Sequence, residues 1–137
     1  MTPAAMALRR HLHAAALVAA AFLPLDAMWL TLMTPRLYQP GMGHLLAAQP
    51  DFAAATAFYL LYFAGVAVFA VRPMERVTRL LPYAARAALF GAVAYGTYDL
   101  TNQATLRDWP WVITVSDLCW GAAATALATL IARRAMR

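Results

Sequence analysis

The last apolar stretch of the sequence reads Trp111-Val-Ile-Thr-Val-Ser-Asp-Leu-Cys-Trp-Gly-Ala-Ala-Ala-Thr-Ala-Leu-Ala-Thr-Leu-Ile-Ala132. It is almost uninterrupted and ends at a pair of arginines. It has the length of roughly 20 residues that a helix needs to cross a bilayer. From Asp117, one helical face continues in the small residues Gly121, Ala124 and Ala128. Because small residues let helices approach closely, the stretch predicts a membrane-spanning helix that packs tightly against others.

The composition extends this prediction to the whole chain. Of the 137 residues, 64% are hydrophobic and only 12% are charged, and the mean hydropathy is +0.59. A soluble domain of this length needs more polar surface, so we expect one transmembrane domain over residues 1–137. The net charge of +5 does not indicate nucleic acid as a partner, because the arginines lie at the ends of apolar segments. The expected partner is the lipid bilayer.

Four apolar segments predict an all-α, polytopic membrane protein that forms a compact four-transmembrane-helix bundle. They cover about residues 12–33, 52–71, 81–106 and 111–132. The basic start followed by an apolar run resembles a signal peptide, but the apolar character continues to Met33 and favours an uncleaved first helix. Residues 34–51 contain three prolines and two glycines, which predict a loop.

The arginines predict the orientation of these helices. All eleven basic residues are arginine, which excludes lysine Schiff-base chemistry. Arg36 and Arg107 lie at one set of segment ends. The other set carries Arg9, Arg10, Arg72, Arg76, Arg79, Arg86, Arg133, Arg134 and Arg137. The positive-inside rule therefore predicts that both termini are cytoplasmic (N-in/C-in) in a multi-pass protein of a bacterial inner membrane.

Three carboxyls lie inside the predicted spans, at Asp26, Asp99 and Asp117. Counted from the outer helix ends, all three sit roughly 10–12 Å deep, because an α-helix rises 1.5 Å per residue. An ionisable group inside a membrane is a functional-site hypothesis by default, since its burial is costly. The remaining acidic residues flank the spans and are interpreted as ordinary interfacial charges: Asp51, Glu75 and Asp108.

Aromatic and amide side chains accompany these carboxyls. The stretch 95–102 places two phenols and an amide on the Asp99 face, and Asp-x-x-Trp occurs in the first and last spans. Since the two spans run in opposite directions, we expect a pocket bounded above and below by indoles. The predicted ligand- and proton-binding residues are Asp26, Asp99, Asp117, Asn102, Tyr95, Tyr98, Trp29, Trp120, Tyr59 and Tyr62.

Nothing basic lies at the depth of the carboxyls to balance them. Burial and like charge both favour the neutral form, so we expect one or two of the acids to be protonated, or a cation to enter. The nearest counter-charges are Arg36, Arg107 and His44 in the outer loops. His11 and His13 lie at the other end, so no buried axial pair for haem is expected. The sequence predicts no metal and no cofactor.

Several short motifs together resemble a known family. They are Leu25-Asp26-x-x-Trp29-Leu30, Tyr95-Gly-x-Tyr-Asp99-Leu-x-Asn102, Trp109-Pro-Trp111 and Asp117-x-x-Trp120-Gly121. The chain resembles an uncharacterised bacterial family of small four-helix inner-membrane proteins, known only as a domain of unknown function. The resemblance covers nearly the whole chain. It implies a compact four-helix unit in the inner membrane and brings no reaction, cofactor or catalytic residue.

Three classes of function remain open. The favoured one is a protein that binds or transports a small cationic or amphipathic ligand, with proton coupling through the carboxyls and cation–π contacts from the aromatic rings. A homo-oligomer is expected, because four short helices enclose little volume. The second class is an accessory subunit whose carboxyls form interhelical hydrogen bonds. The third is a small membrane enzyme acting on a lipid-like substrate, which the lack of histidine in the layer disfavours.

Overall fold

The computed structural model describes residues 2–74 and 76–136, with only the backbone of Met74. Two residues used in the predictions lie outside the described ranges: Glu75, predicted to be an interfacial charge, and Arg137, one of the counted arginines. Within these ranges the chain is all-α, as predicted, and contains four long helices and no strand. They are α1 (Pro3–Met33), α2 (Phe52–Gly65), α3 (Leu80–Thr105) and α4 (Trp111–Ala135). The helix of α2 continues as wider π-helical turns over Val66–Val71.

Local chemistry explains where these helices begin and end. Asp51 starts α2, because its carboxylate accepts hydrogen bonds from the backbone N–H groups of Ala53 and Ala54 at 2.9 and 3.0 Å. This predicted interfacial charge is therefore a helix cap. Between α3 and α4, Asp108 adopts a positive φ of 58°, which aspartate tolerates better than most side chains. The resulting turn brings α4 back along α3.

The prediction of a loop over residues 34–51 is wrong for its first part. The helical path continues from α1 through a π-helical turn, Thr34–Tyr38, a short helix, Gln39–Met42, and a 3₁₀ turn, Gly43–Leu45. Proline lacks only an N–H that the first turn of a helix does not use, and Pro35 and Pro40 both occupy such first-turn positions. The prolines therefore divide the helical segment without ending it.

Residues 34–45, here called the cap segment, turn back over the end of the bundle. The indole of Trp29 donates a hydrogen bond to the hydroxyl of Tyr38 at 2.8 Å, although residues nine apart lie on opposite faces of a straight α-helix. The chain must therefore turn at the π-helical residues. Tyr38 and Met42 then pack with Trp109 and Ile113 at the start of α4.

The closest contact between helices is that of α3 with α4, here called the α3–α4 seam. At Gly91 an added Cβ would collide with the carbonyl oxygen of Gly121, and at Gly121 it would collide with the ring of Tyr95. Ala124 and Ala128 are fully or almost fully buried. The tight packing predicted from the small residues of α4 is confirmed.

Three helical stretches are long and apolar enough to cross a membrane: Pro3–Leu45, Phe52–Val71 and Trp111–Ala135. Helix α3 is more polar and is not among these candidate spans, but it packs along α4. Thr97 and Thr101 donate their hydroxyls to the carbonyls of Val93 and Thr97, four residues earlier. These internal hydrogen bonds lower the cost of placing threonine in lipid.

Arg133 closes the end of the bundle that holds the chain termini, here called the arginine-rich end. Its guanidinium donates to the carbonyls of Val77 and Thr78 at 2.5 and 3.1 Å and lies 4.5 Å from the ring centre of Tyr83. Below it, alanine and valine side chains from α1, α2, α3 and α4 form the main core. A packed core therefore fills this end of the bundle.

Candidate ligand-binding site

The opposite end of the bundle contains a cavity of about 550 Å³. Ligand pockets in proteins usually measure about 300–1,000 Å³. All four helices and the cap segment contribute to its walls. Its polar lining consists mainly of Asp26, Tyr38, Tyr59, Tyr95, Tyr98 and Asp117. The other walls are chiefly aliphatic and aromatic, so the cavity can hold a ligand with an apolar body and a few polar contacts.

The cavity reaches the surface beside two exposed lining residues, one on α2 and one on α3. Phe58 of α2 and Tyr98 of α3 both line it, and 47% and 55% of their side-chain surfaces are exposed. Nearer the arginine-rich end, the same two helices meet where the rings of Tyr62 and Phe90 lie 6.0 Å apart. Helix α2 therefore contacts α3 at one end and leaves it at the other, and the cavity fills the gap.

The carboxylate of Asp26 connects the four helices around the cavity. Its carboxylate accepts hydrogen bonds from the hydroxyl of Tyr59 at 2.5 Å, the indole of Trp120 at 3.2 Å and the hydroxyl of Tyr95 at 3.4 Å. These donors belong to α2, α4 and α3, and Asp26 itself is only 4% exposed. Three donors and no acceptor suit a carboxylate, which can only accept. Asp26 therefore links α1 to every other helix.

Asp117 is less completely bonded. It accepts one hydrogen bond, at 2.6 Å, from the hydroxyl of Tyr38, which itself accepts from the indole of Trp29. Asp117 is 6% exposed and lines the cavity. Because a carboxylate can accept about four hydrogen bonds, Asp117 retains capacity for a group inside the cavity.

The prediction that indoles bound the pocket above and below is wrong. Trp29 and Trp120 stack on each other, with ring centres 4.4 Å apart and planes inclined by 8°. Side chains on a helix lean towards its N-terminus, and α1 and α4 run in opposite directions, so the two indoles lean towards each other. As a result, Trp120 reaches Asp26 directly, and Trp29 reaches Asp117 through Tyr38.

Asp99 lies in the α3–α4 seam, behind the cavity wall. It is 0% exposed, and among the described residues neither of its carboxyl oxygens has a hydrogen-bond partner. Its carboxyl is close enough to that of Asp117 for the two groups to interact electrostatically. The seam explains this proximity, because Tyr95 contacts Gly121 on one side of the pair and Gln103 contacts Thr114 on the other. Asp99 therefore faces Asp117 across the seam.

Six of the ten predicted site residues line the cavity: Asp26, Trp29, Tyr59, Tyr95, Tyr98 and Asp117. Of the other four, Trp120 bonds to Asp26, and Asp99 lies behind Asp117. Tyr62 belongs to the core, where its hydroxyl contacts that of Thr125 at 2.5 Å. Asn102 is half-buried beside Tyr98 and outside the cavity lining.

Tyr38 and Phe58 are lining residues that sequence reasoning missed. Tyr38 lies in the segment predicted to be a loop, although its spacing from Met42, four residues on, is that of one helical face. Phe58 precedes Tyr59 and reads as an ordinary lipid-facing ring. Trp109 of the Trp-Pro-Trp motif is 5% exposed and donates its indole N–H to Thr114 at 3.1 Å. It supports the cap segment.

The expected counter-charges do not reach the carboxyls. Arg36 is exposed and donates to the carbonyl of Leu32 at 2.9 Å. Among residues 2–74 and 76–136, no arginine or histidine belongs to the cavity lining. Across the same ranges, no three His, Cys, Asp or Glu side chains come together as metal ligands would. A cavity with two carboxyls and no basic side chain favours a cation.

Fold and site together define a multi-pass helical membrane protein with a buried acidic layer. The chain belongs to DUF2177, a family described as predicted membrane proteins, since the model of that family matches residues 11–133. This confirms the resemblance that the Asp-x-x-Trp and Tyr-Gly-x-Tyr-Asp motifs indicate. No curated protein and no solved structure matches the chain. Because the family has no known function, function has to be argued from the chemistry of the site.

Proposed function

We propose that this protein binds a small amphipathic cation, which enters its cavity from the bilayer. The observation that carries the proposal is a membrane cavity lined by two carboxyls and several phenols, with no basic residue in its described lining. In a medium of low dielectric constant, a carboxylate attracts a nearby cation much more strongly than it does in water. Transport of the cation in exchange for protons would be an extension of this binding.

The division of labour between the two carboxyls supports the proposal. Asp26 already accepts three hydrogen bonds and acts mainly to hold the walls. Asp117 accepts one and keeps acceptor capacity on the cavity side. We therefore assign the contact with the cationic group to Asp117.

The aromatic walls suit the same ligand. A cation within about 6 Å of an aromatic ring gains roughly 0.5–2 kcal/mol from the ring's negative face. Tyr95, Tyr98 and Phe58 present such rings along the cavity wall. The aliphatic side chains of Leu30 and Met42 would contact the apolar body of the ligand. Since the mouth between α2 and α3 is itself apolar, a ligand dissolved in lipid could enter without crossing water.

The arginine distribution supports an orientation for this site. If the arginine-rich end faces the cytoplasm, as the positive-inside rule predicts, both termini are cytoplasmic. The cavity then lies in the outer half of the inner membrane, and its ligand is taken from the outer leaflet.

A structural role remains the second candidate, and one observation favours it. The hydrogen bonds of Asp26 connect α1 with the other three helices, which is what a carboxyl acting only as interhelical glue would do. If Asp117 acted in the same way, the protein would be an accessory subunit and the cavity would have no ligand of its own.

Two test ions of the same shape and opposite charge can distinguish cation binding from a purely structural role. The protein is reconstituted in lipid nanodiscs, and binding of tetraphenylphosphonium and of tetraphenylborate is measured by equilibrium dialysis, with protein-free nanodiscs subtracted. We expect the protein to bind the cation and not the anion. Asp117→Asn should weaken cation binding roughly ten- to hundredfold, because a hydrogen bond or contact to a charged group contributes about 1.5–3 kcal/mol.

Asp108→Asn is the matched control, since it removes a carboxyl of the exposed turn between α3 and α4 and should leave the affinity unchanged. Equal binding of both ions, or equal affinity in Asp117→Asn and the wild type, would contradict the proposal and favour the accessory role.

A further inference from the structure

Asp99 is the buried acid that the proposed binding site does not use. It is absent from the cavity lining, and its side chain is 0% exposed. Both carboxyl oxygens are without a hydrogen-bond partner among the described side chains and backbone groups. An ionised carboxyl in such surroundings would cost several kcal/mol, so Asp99 needs either a proton or a cation.

The groups that face Asp99 decide between these two. From α4 it meets Asp117, and from the cap segment the phenol of Tyr38, on which its charge acts. Its own helix contributes Tyr98. Further away, the charge of Asp26 acts on Asp117. None of these groups is a cation, and in the described part of the chain no three His, Cys, Asp or Glu side chains come together as metal ligands would.

We propose that Asp99 and Asp117 hold one proton between them when the cavity is empty, and that a cation arriving at Asp117 displaces this proton. The inference rests on the proposed function for its second half. A protonated Asp99 can donate its O–H towards the Asp117 carboxylate, which gives Asp99 its missing partner and Asp117 a second donor beside Tyr38. Two carboxyls that share one proton are a known way of burying an acidic pair.

The position of the pair supports the displacement step. Asp99 lies in the seam, but Asp117 lines the cavity, so a positive group placed there acts on both carboxyls. The cation replaces the proton as the counter-charge of the pair, and the proton passes to water through the cavity. One positive charge enters and one leaves, so the charge of the site is unchanged.

Infrared spectroscopy of the empty protein tests the first half directly. In nanodiscs at neutral pH, with carboxyl-labelled aspartate, we expect the carbonyl band of a protonated carboxyl. That band should disappear in Asp99→Asn and persist in Asp108→Asn, the control in the exposed turn. A wild type without the band would overturn the inference, whatever the protein binds.

The pH dependence of tetraphenylphosphonium binding tests the second half. If one proton leaves for each cation bound, the affinity rises about tenfold per pH unit over the range in which the pair titrates. A weakly buffered sample should release one proton per cation. In Asp99→Asn the amide can still donate to Asp117, so we expect binding that no longer depends on pH and releases no proton.

The two proposals fail in different ways. A wild type that binds no cation overturns the proposed function and the displacement step, while the infrared band still decides whether the pair holds a proton. A wild type that binds the cation, with the same pH dependence in Asp99→Asn, overturns this inference alone.

Discussion

Helix α3 has two very different neighbours. Against α4 it leaves no room for one added Cβ at Gly91, whereas on the side of α2 it borders a cavity of about 550 Å³. Lipid tails are as apolar as leucine, so helices in a membrane associate through close packing and hydrogen bonds and gain little from burying apolar surface. The seam supplies that packing, and on the other side the rings of Phe58 and Tyr59 line the cavity.

The carboxyls follow the same division. Asp26 lies in the cavity wall and accepts hydrogen bonds from three helices. These bonds connect the helices where the cavity separates them. Asp99 lies in the seam without a hydrogen-bond partner in the described structure, although packing there is already tight. Because Asp99 forms no hydrogen bond in a contact that is already well packed, its presence does not stabilise the fold. We therefore assign it the role of holding a proton.

The largest effect is expected when the seam is broken. Gly91→Ala places a Cβ against the carbonyl oxygen of Gly121, so the helices must separate. We expect a loss of about 3 kcal/mol in the free energy of unfolding, the upper part of the usual range for overpacking. Unfolding by SDS in mixed micelles, followed by circular dichroism, measures it.

Gly96→Ala is the matched control on the same helix. Its added Cβ would lie 3.7 Å from the nearest side-chain atom, Cγ of Leu118, which is ordinary contact. It should be neutral or stabilise the protein by up to about 1 kcal/mol, because alanine favours a helix over glycine. Equal effects of the two substitutions would show that the seam is no tighter than the rest of α3.

The seam was largely predictable from the sequence and the gap was not. Gly121, Ala124 and Ala128 repeat at helical spacing, and small residues have one clear meaning in a membrane helix. The arginine pattern and the length of the apolar segments likewise indicated the four helices. These features depend on single segments, which the sequence displays directly.

The site was predicted only in part, for physical reasons. The depth of each carboxyl follows from counting residues. The partner of each indole depends on which way side chains lean, and this direction brings Trp29 and Trp120 together in a stack instead of placing them at opposite ends of the pocket. The sequence does not reveal Tyr38 as a lining residue, because proline often ends a helix but here starts a new turn. Asp99 has no hydrogen-bond partner among the described residues because of how the helices contact each other. The spacing of residues along one helix does not predict such contacts.

A smaller effect on stability should distinguish Asp26 from Asp99. Asp26→Asn keeps the shape of the side chain but weakens three hydrogen bonds, each worth about 0.6 kcal/mol in a membrane protein, so we expect a loss of about 2 kcal/mol. In Asp99→Asn the amide can replace the O–H as the donor towards Asp117, so the stability should change by less than about 0.5 kcal/mol at neutral pH. The same SDS titration compares both variants. A larger loss in Asp99→Asn would mean that the seam uses Asp99 as glue.

The smallest effect on stability, and the sharpest on function, is expected from filling the gap. Ala55 lines the cavity from α2, whereas Ala57, two residues on, is exposed and outside the lining. Ala55→Phe puts a ring into space that is already present, so it should change the stability by less than about 0.5 kcal/mol and yet abolish tetraphenylphosphonium binding. Ala57→Phe adds the same ring to the exposed side and should leave binding intact. If Ala55→Phe unfolds the protein, the gap has no spare room; if it folds and still binds, the cation lies elsewhere.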